Sequence, residues 1–162
     1  MVRVHGETEC GSDAGYGNHA SRHRQSQSFS MTKRKKSPYT VFLSHSGRDT
    51  WLANTIAEKI RAAKIGVWID QMSLAGGDTV IDAIIQGMKR ADEAVVLVSN
   101  DSIRSQWVAV EIGIALALRK RIAPLLNNID YDAMAPLKGI KSYELNQFAS
   151  LLREMKKRKR NR

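Results

Sequence analysis

The sequence predicts an α/β protein: a flavodoxin-like three-layer sandwich with a five-stranded parallel sheet in the order 2-1-3-4-5 and helices on both faces. Three observations carry this reading. From Tyr39 onward, short apolar runs alternate with segments of helical periodicity. The run EAVVLVS (93–99) is apolar almost throughout, as in a central parallel strand covered on both faces. Strands that alternate with helices and cross over right-handedly leave few topologies, and 2-1-3-4-5 is the common one for five strands.

The elements follow in order. YTVFL (39–43) is a short β-rich run and the first strand. DTWLANTIAEKIRAAK (49–64) carries Leu52, Ile56, Ile60 and Ala63 at helical spacing, with Asp49 placed as its cap. IGVWID (65–70) is the second strand. AGGDTVIDAIIQGMKRA (75–91) reads as a loop and a helix capped by Asp78, with Ile81, Ile84, Ile85 and Met88 as the buried stripe. The third strand is 93–99. A helix carrying Trp107 and Glu111 then runs to about Lys120, and RIAPLL (121–126) is the fourth strand. IKSYEL (140–145) offers a weak fifth strand, and LNQFASLLREMKK (145–157) closes the body as a helix. Trp51 and Trp68 read as packing residues.

Charge divides the chain further. The net charge is +10, but residues 1–36 hold seven Lys/Arg against three acids, and residues 153–162 hold seven against one. Residues 37–152 hold twelve of each and balance. A nucleic-acid reader should carry its basic face on its ordered body, so no specific nucleic-acid partner is expected. Residues 1–36 are rich in Gly, Ser, His, Arg and Gln without periodicity and read as a disordered basic/polar extension. Residues 37–157 read as the folded domain, and 158–162 as a frayed, solvated basic tail. The single cysteine, Cys10, excludes an intramolecular disulfide framework and a Cys-rich metal centre. The four histidines show no metal-ligand spacing, so no metal is expected. With neither an apolar span of membrane length nor a secretory leader, the expected setting is soluble and cytoplasmic.

In this topology ligands bind at the carboxyl ends of strands 1 and 3, where the winding direction reverses. The placement of Glu111 depends on where its helix starts. With 100–104 as loop and Ser105 as N-cap, Glu111 lies about 9 Å along the helix, near the sheet edge. Trp107 sits four residues earlier, so the two share a helix face, one turn apart. The loop SHSGRD (44–49) brings His45, Ser46 and Arg48 to the same crevice, and Asp70 ends the second strand there. Each has a plainer reading. His45 and Ser46 are contact residues by position alone, Arg48 suits a solvated role, and Asp70 can cap its loop. A Trp–Glu pair on a helix is in most proteins core plus surface.

Three stretches resemble the Toll/interleukin-1 receptor (TIR) domain family of the bacterial type. YTVFLSHSGRD is similar to its first motif, and WIDQMSLAGGDTVIDAI to its second-strand and mobile-loop motif. SQWVAVE matches its Ser-x-Trp-x-x-x-Glu signature. The three stand in order within about 37–157. The chain departs from the family pattern at Thr40, at Ser46 and Gly47, and at Val108.

The resemblance implies an NAD+ glycohydrolase with Glu111 as its catalytic residue. NAD+ would be the substrate, with no separate cofactor. Nicotinamide is cationic in NAD+ and leaves neutral, so no acid is needed to protonate it, in contrast to ordinary glycosides. One fixed carboxylate can then stabilise the ribosyl cation, while Trp107 stacks on a ring of the substrate. Capture of the cation by water gives ADP-ribose, and capture by the same molecule gives a cyclic product. The resemblance further implies self-association through TIR–TIR contacts, extending to filaments where the contact is heterologous. It also implies a role in defence or cell-death signalling, with a separate sensor or effector as partner. The alternative it allows is a non-enzymatic adaptor that uses the same surfaces. A phosphoacceptor receiver domain shares the strand order but needs an aspartate at the end of strand 3, where this chain reads VLVSN.

Overall fold

The structure is a computed structural model that describes residues 37–69, 80–130 and 135–162. Its strands are β1 (Thr40–Ser44), β2 (Gly66–Ile69), β3 (Glu93–Val98), β4 (Arg121–Leu126) and β5 (Tyr143–Glu144). Its helices are α1 (Thr50–Ala62), α2 (Val80–Arg90), α3 (Gln106–Ala117) and α4 (Phe148–Arg160). The five strands form one sheet in the order β2-β1-β3-β4-β5, and every pairing is parallel. This is the predicted flavodoxin-like arrangement.

Strand pleating sorts the core into two halves. Successive side chains of a strand point to opposite faces. Val41, Leu43, Val95 and Leu97 therefore pack with Ile56 and Ile60 of α1 and Leu151 and Met155 of α4. Phe42, Ala94, Val96 and Val98 pack with Ile84 and Met88 of α2 and Val108 and Ile112 of α3. β3 is buried along its whole length, Glu93 included, and the apolar run Ala94–Val98 is what a strand at the sheet centre requires.

Several expectations are corrected. Trp51 is 79% exposed. It lies across α1 from the buried positions Ala53, Ile56, Ala57 and Ile60, so it has no core to enter. Trp68 does pack, stacking on Phe42 with ring centroids 4.6 Å apart. On α2 the buried positions are Ile84, Gly87 and Met88, while Ile81 is exposed and Ile85 half-buried. The stripe is turned because Gly87, lacking a Cβ, takes the Trp68 ring against its backbone: a Cβ there would lie 2.6 Å from Trp68 Cε2. Asp78, the expected cap of α2, lies outside the described residues. The fifth strand shrinks to two residues.

The basic C-terminus is not a frayed tail. α4 continues to Arg160, beyond the expected end at 157. Arg158 reaches back to Glu93, which is fully buried, with Nη2 2.9 Å from Oε2. Lys159 Nζ donates to the carbonyl of Lys64 at 2.7 Å, and Arg162 Nε lies 3.1 Å from Asp92 Oδ1. Burial of Glu93 demands a cation, and the helix extends to deliver one.

Candidate active site

The site is built at the carboxyl ends of β1 and β3, where the chain winds in opposite directions to either side. β1 ends in Ser44, which shares its pleat parity with Phe42 and so faces the α2/α3 layer. Across from it, Glu111 is 2% exposed on the inner side of α3, beside Val108, Ile112 and Ala115. The Ser44 hydroxyl donates a hydrogen bond to Glu111 Oε2. A carboxylate this deeply buried needs polar partners, and Ser44 supplies one from the strand end. The acid is thereby tied to the end of β1.

The start of α3 sets that position. Ser105 is the N-cap, with extended backbone, and its Oγ accepts from Val108 N at 3.3 Å. The preceding residues are held by a serine network. Ser99 N donates to Ser102 Oγ at 2.7 Å, and Ser99 Oγ accepts from Ser102 N at 3.0 Å. Ser99 Oγ in turn donates to Asp49 Oδ2 at 2.6 Å. Asp49 does occupy the N-cap position of α1, but its side chain makes no capping bond. Its carboxylate instead ties the start of α1 to the end of β3. A single turn of 3-10 helix at Ser102–Arg104 stands inside the stretch expected as loop.

The other candidate residues are placed as follows. Ser46 is buried and accepts from Arg48 N at 3.3 Å, so its hydroxyl shapes the turn after β1. His45 Nε2 lies 3.4 Å from Thr50 Oγ1. The Arg48 side chain is 83% exposed and pairs with Asp101 at 3.3 Å, joining the turn after β1 to the segment after β3. Trp107 is 42% exposed. The bland expectation for the pair, a core tryptophan above a surface glutamate, is inverted. Asp70 lies outside the described residues. Sequence reasoning did not single out Ser44, Asp49 or Ser99 for this site. Strand parity marks Ser44, since the residue two after the buried Phe42 faces the same helices. Among the described residues, no group of three or more His, Cys, Asp or Glu is arranged to hold a metal ion, and no helix is long and apolar enough to cross a membrane.

The chain is similar to the NAD(+) hydrolase PdTIR of Paracoccus denitrificans, at 28% identity over 103 residues, covering 60% of this chain and 34% of that protein. It is similar to the 2' cyclic ADP-D-ribose synthase AbTIR of Acinetobacter baumannii, at 28% identity over 75 residues, covering 46% of this chain and 28% of the other. The chain thus spans about a third of the length of these relatives. In fold it resembles the TIR domain of the Toll-related receptor TRR-2 from Hydra magnipapillata. That match has a TM-score of 0.58 and 18% identity and covers 71% of this chain and 96% of the other. The TIR domain family profile matches residues 41–156, most of the chain and all of the sheet but the first residue of β1. The chain belongs to the TIR domain family.

Proposed function

We propose that this protein is an NAD+ glycohydrolase that breaks the nicotinamide–ribose bond with Glu111 as its catalytic residue. The observation that carries the reading is the buried Glu111 carboxylate, hydrogen-bonded by Ser44 at the carboxyl ends of β1 and β3, where the sheet reverses its winding. The names of PdTIR and AbTIR, a hydrolase and a cyclase of this chemistry, support it.

When the bond to C1′ of the ribose breaks, the electron pair stays on the nicotinamide nitrogen, which becomes neutral. The positive charge moves to the ribose. A carboxylate fixed beside that carbon stabilises the charge as it develops, and its low-dielectric setting strengthens the effect. Trp107, half out of the protein surface, offers a ring face for the nicotinamide or the adenine. Water adding to the cation loses a proton and gives ADP-ribose. A hydroxyl of the same molecule adding instead gives a cyclic isomer.

Self-association belongs to the same reading. Half the circumference of α3 faces outward, and its exposed side chains are apolar or neutral: Trp107, Val110 and Leu116 among them. A helix face of this kind suits contact with a second copy.

The test uses the 162-residue chain, concentrated in the presence of a crowding agent and incubated with NAD+. Free nicotinamide is followed by chromatography. The wild type should release it, and Glu111→Ala should not. Equal release from both removes Glu111 from the chemistry. No release from assembled wild type favours the adaptor role.

A further inference from the structure

α4 carries Arg153, Lys156, Lys157 and Arg160 at i, i+3, i+4 and i+7, so the four share one face. All four are exposed. Among the described residues none of them meets an acid; Arg153 donates to Ser150 Oγ at 2.9 Å. Beside this stripe runs an open groove of about 460 Å³ between α1 and α4. Its floor is apolar, made by Ala62, Ala63, Phe148 and Leu152, and Lys59 and Lys156 stand at its rims. α1 has one acid of its own, Glu58, against Lys59 and Arg61.

We propose that this groove docks an acidic amphipathic segment of another protein. Its aliphatic side chains would cover the floor, and its carboxylates would face Lys59, Lys156 and the α4 stripe. Charge complementarity selects this occupant. A second copy docked here about a two-fold axis would set cation against cation. Residues 1–36 of the same chain carry a charge of +4 and so offer these cations no complementary charge. A phosphate backbone satisfies the cations and leaves the apolar floor in water. A bilayer surface meets the stripe but does not enter a concave groove. An amphipathic helix laid in a groove uses both features at once.

The probe is a fluorescently labelled synthetic helical peptide of glutamate and leucine, with leucines at i, i+4 spacing. Its binding to the full chain is measured by anisotropy. Comparison probes are an all-glutamate peptide of equal length, an oligothymidylate of equal charge and phosphatidylserine vesicles. The glutamate–leucine peptide should bind tightest. Ala149→Glu, at an exposed position lining the groove, and the double change Lys59→Glu/Lys156→Glu should each weaken it about tenfold or more. Arg90→Glu, an equal charge change per site on α2, should have little effect. Circular dichroism checks that each variant keeps its helices. Equal or tighter binding of the oligothymidylate, the vesicles or the all-glutamate peptide overturns the proposal. So does peptide binding that ignores the Lys59 and Lys156 changes, or that Arg90→Glu weakens as much.

Discussion

Ser44 and Glu111 are 67 residues apart in sequence and joined by a hydrogen bond at the buried edge of the sheet. If Ser44 aligns the carboxylate, Ser44→Ala leaves Glu111 chemically intact but less well held. Nicotinamide release should then fall roughly tenfold or more, with KM little changed. The stability cost should be about 1–2 kcal/mol, the usual loss of one buried hydrogen bond. Ser44→Thr, which keeps the hydroxyl, should recover part of the rate. A Ser44→Ala rate equal to wild type would show that the bond is purely structural.

Arg158 and Glu93 couple the end of α4 to the centre of the sheet. Glu93 is fully buried at the start of β3, and Arg158 is its cation at 2.9 Å. Replacing Arg158 by Met strands an acid in the interior, so urea unfolding should show a loss of about 3 kcal/mol or more. The double change Arg158→Met/Glu93→Met removes both charges and should restore most of that loss. A chain cut after Lys157 should behave like Arg158→Met rather than like wild type.

Tyr39 belongs to the same cluster. Burial, and after it the Glu93 charge, push its hydroxyl up to about 12 from the ordinary 10.0. The folded state therefore holds this proton more tightly than the unfolded chain. The stabilisation is fully present below pH 10 and is lost as the pH rises towards 12. A urea midpoint followed through that window should fall for wild type, and the fall should be shallower for Tyr39→Phe. Tyrosinate absorbance should show Tyr39 titrating late, and that late step should vanish in Tyr39→Phe, while the smaller upward shift of Tyr143, also caused first by burial, remains.

Gly87 has a packing role that tolerates no side chain. A Cβ at that position would lie 2.6 Å and 2.8 Å from ring atoms of Trp68, which is itself stacked on Phe42. Gly87→Ala would gain helix propensity on an exposed helix. Here the overpacking should prevail and cost about 1–3 kcal/mol in thermal or urea unfolding. The pair Gly87→Ala/Trp68→Leu should regain part of it.

The outward face of α3 gives a test of assembly. Val110 is 38% exposed on a face without charged side chains. Val110→Glu should leave the fold unchanged, since the side chain points to water. It should reduce self-association measured by sedimentation, and reduce nicotinamide release at high protein concentration with it. Sedimentation identical to wild type would place the assembly contact elsewhere.

What was legible along the chain is what local physics governs. Period-2 and period-3.6 apolar patterns marked the elements, and the apolar run at 94–98 marked the sheet centre. The cap at Ser105 placed Glu111 in the second turn of α3, because a cap depends on groups three residues away. Partners distant in sequence were not legible. Topology brings the 44–49 loop and Glu111 to one sheet edge but does not single out the Ser44 hydrogen bond; nothing near Arg158 announces Glu93, and Asp49 looks like an ordinary cap until Ser99 arrives beside it. Trp51 and Trp68 are equally apolar on paper, and one is exposed while the other stacks on Phe42. These outcomes depend on crossovers that bring separate segments to one sheet edge. A buried polar group must then find whatever partner the crossover supplies, so folding in three dimensions completed the acid's setting and recruited the basic end of the chain into α4.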